Sequence, residues 1–87
     1  MSMAEKLLAR MRQNPRDWRI EDVDVLARRF NLRRRRGGTS HVIYSFPGVL
    51  GEATVPDHKP IKSIYIKAFV ALIDDVIALG GQRFSWT

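Results

Sequence analysis

The residues best equipped for chemistry sit in one short stretch. Arg33-Arg34-Arg35-Arg36 lead into Gly37-Gly38, then Thr39-Ser40, then His41, which opens the strand-like run Val42-Ile43-Tyr44-Ser45-Phe46. An imidazole exchanges a proton near neutral pH, and guanidinium groups grip phosphate through paired N–H donors. Together they suit a reaction at a phosphodiester. His41 would take the proton of a ribose 2′-hydroxyl, that hydroxyl would attack the adjacent phosphate, and arginine would neutralise the charge on the phosphorane oxygens. Each feature also has a plainer role. Gly37-Gly38 suits a hairpin turn, the arginines a solvated or partner-binding surface, and His41 a hydrogen-bonded residue at a strand start. His58, in Pro56-Asp57-His58-Lys59, is either a second proton carrier or a loop residue. Two histidines in no recognised ligand spacing give no reason to expect a metal, and nothing in the sequence calls for a cofactor.

Totals narrow the class. Eighty-seven residues make one small domain, and 45% hydrophobic content argues against disorder. The net charge is +6, eleven of the fifteen cations are arginine, and ten of those precede His41. Such a surface calls for an anionic partner, either nucleic acid or an acidic protein. There is no cysteine, which fits a reducing cytoplasm. No apolar run approaches the roughly 20 residues that span a bilayer, so no membrane partner is expected. The N-terminal residues mix charged with apolar types and form no continuous signal core.

The elements that must position these residues follow from spacing. Met3, Leu7, Leu8 and Met11 predict a helix from about Met3 to Gln13, stopped by Asn14-Pro15. Val23, Leu26, Ala27 and Phe30 predict a second over 21–30, with acids in its first turn, arginines in its last, and Asn31 as C-cap. Strands are expected over 32–36, 40–46 and 52–55, the last stopped by Pro56, with Gly37-Gly38 as the tight turn. Ser63 is expected to cap a final helix whose stripe is Ile66, Phe69, Val70, Ile73 and Ile77, closed by Gly80-Gly81. The tail carrying Phe84 and Trp86 has no evident place. Helix, helix, three strands and helix make an α+β two-layer sandwich, a three-stranded antiparallel sheet with helices on one face. The α-β-β-β-α part resembles the double-stranded-RNA-binding fold, with an extra N-terminal helix. Strand parity turns Val42, Tyr44 and Phe46 towards the helices and leaves His41, Ile43 and Ser45 on the open face, with Thr54 beside them.

Motif order adds a family resemblance. Arg36-Gly37-Gly38-Thr39-Ser40-His41-Val42-Ile43-Tyr44, then Thr54-Val55-Pro56-Asp57-His58, then the basic-apolar helix Ile61 to Val70, resemble the HicA-type toxins of type II toxin–antitoxin systems over about residues 20–77. Thr39 stands where the family has glycine, and residues 1–19 form an N-terminal extension to a core of residues 20–79. The resemblance implies a metal-independent endoribonuclease that cleaves mRNA in the cytoplasm, and a HicB-like antitoxin that inhibits it. It implies His41 as the catalytic histidine, general base or acid, and matches His58 to a second family histidine. Arg34, Arg35, Arg36 and Ser40 are the candidate RNA-binding residues, with Lys59 and Lys62 beyond them. The same basic sheet face would also serve a non-catalytic RNA-binding or protein-interaction domain.

Overall fold

In the computed structural model, which describes residues 2–38 and 40–80, the chain forms three helices and one three-stranded antiparallel sheet. The first helix, α1 (Met3–Gln13), begins at a reciprocal cap. The Ser2 hydroxyl accepts from the Glu5 N–H at 3.1 Å, and the Glu5 carboxylate accepts from the Ser2 N–H at 2.8 Å. α1 buries Ala4, Leu8 and Met11 in the same cluster as the rest of the core. The 1–19 segment therefore shares the hydrophobic interior. After Asn14-Pro15 the chain folds back, and the Trp18 indole N–H donates to the Asn14 carbonyl at 2.6 Å.

α2 (Ile20–Arg29) starts one residue before the predicted boundary. Ile20, Val23, Leu26 and Ala27 are buried, and Asn31 takes the left-handed conformation (φ 59°) just past the helix end, one that asparagine tolerates. The sheet then runs β1 (Arg33–Gly37), β2 (His41–Ser45) and β3 (Ala53–Pro56), with β2 in the middle. α3 (Ser63–Leu79) closes the chain.

Three expectations shift. Gly37 belongs to β1 and pairs with His41, so residues 38–40 make the connection, with Gly38 at φ 68°. Pro56 does not stop β3; it pairs with His41. The Asp57 N–H donates to the Ser40 carbonyl at 2.6 Å, which marks 40 and 57 as a hydrogen-bonded pair. Antiparallel pairs alternate, so His41 and Pro56 form a non-hydrogen-bonded pair, and the missing proline N–H would have pointed away from β2. Ser63 is the first helical residue rather than the cap; Lys62 holds that position and no side chain caps α3. At the far end Gly80, at φ 81°, donates its N–H to the Ile77 carbonyl at 2.9 Å. Thr39, Gly81 and the tail with Phe84 and Trp86 lie outside the described residues.

Packing follows the parity of the strands. Val42, Tyr44, Ala53 and Val55 are buried on the sheet face that meets the helices, and α3 lies against β3 and α1. The Tyr44 and Phe69 rings meet edge to face at 5.2 Å, inside the favourable range for aromatic pairs. Ile66, Phe69, Val70 and Ile73 are buried as the stripe required; Ile77 is only half-buried, and Leu72 and Val76 turn inward as well. Among the described residues no helix is long and apolar enough to cross a membrane.

Candidate functional site

His41 lies exposed on the sheet face that carries no helix, at the first position of the central strand. Its row across the sheet is Gly37–His41–Pro56. The next row on this face is Arg35–Ile43–Thr54, and the next pairs Arg33 with Ser45. The floor of the site is shaped by small residues. A Cβ on Gly37 would collide with the Ile43 side chain, so the isoleucine fills the space over the glycine. A Cβ on Gly38 would stand 3.6 Å from the His41 Nδ1, so that nitrogen faces the turn. Pro56, across from His41, is buried and supplies a rigid wall. His41 and Pro56 side chains approach closely, because residues opposite each other in a non-hydrogen-bonded pair have Cα atoms only about 4.5 Å apart.

The four arginines divide by parity into two sets. Arg34 and Arg36 share rows with Tyr44 and Val42, on the helix side. Arg34 Nε donates to the Asp24 carboxylate at 2.8 Å, and the Tyr44 hydroxyl donates to the same oxygen at 2.6 Å. These bonds tie α2 to β1 and β2. The hydrogen bond to Asp24 raises the Arg34 pKa above its ordinary value. Burial, with the Asp24 bond second, pushes the Tyr44 hydroxyl well above its ordinary range. Arg36 donates to the Asp57 carboxylate at 3.0 Å, at the end of the sheet where Asp57 meets Ser40.

Arg35 and Arg33 lie on the His41 face. Arg35 reaches over β2 to the carboxylate of Glu52, just before β3, with N···O distances of 3.0 and 3.4 Å. Arg33 has no hydrogen bond or ion pair among the described residues. Of the four cations, three therefore carry a carboxylate partner, each from a different part of the chain.

The remaining predicted site residues fall at or beyond the same end of the sheet. Ser40 immediately precedes His41, and its carbonyl holds Asp57. That bond brings His58 to the His41 end, exposed, one residue past Asp57. Lys59 is exposed in the same loop. Lys62 sits farther along, after Ile61, whose N–H donates to the Trp18 carbonyl at 3.1 Å. The structure thus gathers His41, Ser40 and the His58 loop, with Arg35 one row away, and places Arg34 on the other side of the sheet. Arg33, part of the arginine run but not among the candidate RNA-binding residues, joins this face, and Glu52 and Asp57 are additions. Period-two parity through Arg33–Arg36 was the signal for Arg33; the acids are met only through pairing across the sheet.

A separate groove of about 630 Å³ lies between α1 and α3, walled by Met11, Arg16, Lys67 and Val70 among others, and none of its lining belongs to the sheet. Among the described residues no group of three His, Cys, Asp or Glu side chains is placed to hold a metal ion. No family model, curated protein or solved structure matches this chain.

Proposed function

We propose that this chain is an endoribonuclease of the HicA type, the toxin of a type II toxin–antitoxin pair, acting on mRNA in the cytoplasm. The observation that carries the reading is His41. It is exposed on the helix-free sheet face, its Nδ1 against a glycine turn, on the face that also presents Arg33 and Arg35. The order α2-β1-β2-β3-α3 supports a double-stranded-RNA-binding-like arrangement with α1 as an addition. The motif order from Arg36 to His58 supports the family.

In the proposed reaction His41 removes the proton from a ribose 2′-hydroxyl. The oxygen attacks the adjacent phosphorus, the bond to the 5′-oxygen breaks, and a 2′,3′-cyclic phosphate remains. The departing 5′-oxygen takes a proton, from His41 in its protonated form or from His58 in the neighbouring loop. Arg35 neutralises charge on the non-bridging oxygens. Every step uses side chains of this chain and needs no metal ion. A HicB-like antitoxin would inhibit the enzyme.

A second reading has one observation in its favour. Three of the four arginines are already neutralised by carboxylates, as expected of a solvated surface or a binding module. The two readings part in cells. Inducing the parent arrests growth and degrades RNA, and inducing His41→Ala does neither. Equal toxicity of the two proteins overturns the catalytic reading.

A further inference from the structure

The split of the arginine run has a consequence for how RNA would lie on this surface. Arg33 and Arg35 are two residues apart on one strand face, a separation of about 6.8 Å along β1. That step matches the spacing of successive phosphates in an extended single strand. The next position on the same face is Gly37, which has no side chain and is covered by Ile43, and directly across from it is His41. Arg33, Arg35 and His41 therefore form a line that ends at the histidine.

Arg35 is not free on that line. Glu52 holds it through two oxygens, and the contact crosses β2 on the face that a substrate would occupy. The side chains are 57% and 44% exposed, so the pair is solvent-screened and weak enough for a phosphate to displace. Arg36 and Arg34 are differently placed. They pair with Asp57 and Asp24 on the helix side of the sheet, away from the His41 face.

We propose that single-stranded RNA binds along β1 with successive phosphates on Arg33 and Arg35, and that Glu52 is a built-in competitor which the RNA must displace from Arg35. This inference rests on the RNA-cleaving reading above. Arg33 is the primary phosphate contact because no carboxylate partner opposes it among the described residues. Arg35 is engaged only by a ligand whose phosphates are spaced to follow from Arg33, so Glu52 discourages weak, single-point anion binding.

The test uses the whole chain and a 2′-O-methyl RNA 12-mer, which lacks the attacking hydroxyl and stays intact. Affinity is measured by fluorescence anisotropy across a salt series for the parent, Arg33→Gln, Arg35→Gln, Glu52→Gln and the double variant Arg35→Gln/Glu52→Gln. All substitutions are at exposed positions, and circular dichroism checks that each variant is folded. Glu52→Gln is expected to bind about three- to fivefold tighter at low salt, the factor set by a screened surface pair. The slope of log affinity against log salt should stay near the parent's, because Arg35 meets a phosphate in both complexes, whereas Arg35→Gln should flatten it by about 0.7, one single-strand phosphate contact. Arg33→Gln should bind several-fold more weakly. In the Arg35→Gln background, Glu52→Gln should leave affinity unchanged. Equal affinity of parent and Glu52→Gln overturns the competitor role and leaves the RNA reading standing. A tightening of the same size in the Arg35→Gln background also overturns it, since net charge alone then explains the gain. No binding by the parent at low salt overturns both the inference and the RNA reading beneath it.

Discussion

Replacing Asp24 by alanine removes one carboxylate oxygen that two donors share. The Tyr44 hydroxyl reaches it at 2.6 Å and Arg34 Nε at 2.8 Å. Tyr44 is 0% exposed, so its hydroxyl loses its partner where water cannot take over, a cost of about 1–3 kcal/mol. The Arg34 arm is 38% exposed, and screening reduces its contribution to about 0.5 kcal/mol. Asp24→Ala should therefore lose about 1.5–3.5 kcal/mol. Tyr44→Phe removes the donor along with the need for an acceptor and should lose only about 1 kcal/mol. The double variant should be less destabilised than the sum of the two, because no hydroxyl is stranded. Urea unfolding followed by circular dichroism reads these differences. With a slope of about 1 kcal/mol per molar for a domain of this size, Asp24→Ala should move the midpoint down by about 1.5–3.5 M. The same site predicts an alkaline limb. An unfolded tyrosine ionises near pH 10, whereas the folded Tyr44 holds its proton to higher pH because it is buried and bonded to Asp24. Its contribution is thus complete below about pH 10 and declines above it, by about 1.4 kcal/mol per pH unit, as the unfolded state alone ionises. Tyr44→Phe should lack that part of the decline. If Asp24→Ala costs no more than Tyr44→Phe, and both proteins lose stability in parallel above pH 10, the shared carboxylate is not what holds α2 to the sheet.

Three further outcomes follow from the packing. Gly37→Val should lose less than about 1 kcal/mol, because the new side chain meets the terminal Cδ1 of the half-buried Ile43, which can turn aside on the open face; a companion Ile43→Ala should remove that loss in thermal melting. Phe69→Ala empties the fully buried site beside Tyr44 and should cost about 3–5 kcal/mol, seen as the largest drop in melting temperature of the set. Arg12 and Asp74 pair at 2.5 Å, but at 40% and 48% exposure Arg12→Ala should change stability by less than about 1 kcal/mol, and the difference should shrink further in 0.5 M salt, a concentration of the order that screens such pairs.

Much of this fold was legible because its signals are local. The α1 bounds follow from Met3, Leu7, Leu8 and Met11 at helical spacing and from Asn14-Pro15, all within one segment, although Met3 itself is exposed and Ala4 takes its place in the core. His41 and Thr54 reach the open face because Val42, Tyr44, Ala53 and Val55 alternate with them and are buried. The errors come from pairing. Pro56 reads as a stop in one dimension, yet it is harmless in a non-hydrogen-bonded pair with His41. Gly37-Gly38 reads as the turn, yet Gly37 pairs with His41 inside β1 and the Ile43 side chain lies over it. The arginines read as one patch because four like charges hide the alternation that apolar residues display. Their carboxylates Asp24, Glu52 and Asp57 lie 10, 17 and 21 residues away, and no local pattern announces them.

Single-turnover cleavage of an RNA oligomer in the presence of a chelator tests the role of His41 most directly. The parent should release fragments ending in 2′,3′-cyclic phosphate. His41→Ala should bind the 2′-O-methyl oligomer as the parent does but cleave RNA about 10²- to 10⁴-fold more slowly, the range expected for loss of a proton-transfer group. Equal cleavage rates for the two proteins would contradict the assignment.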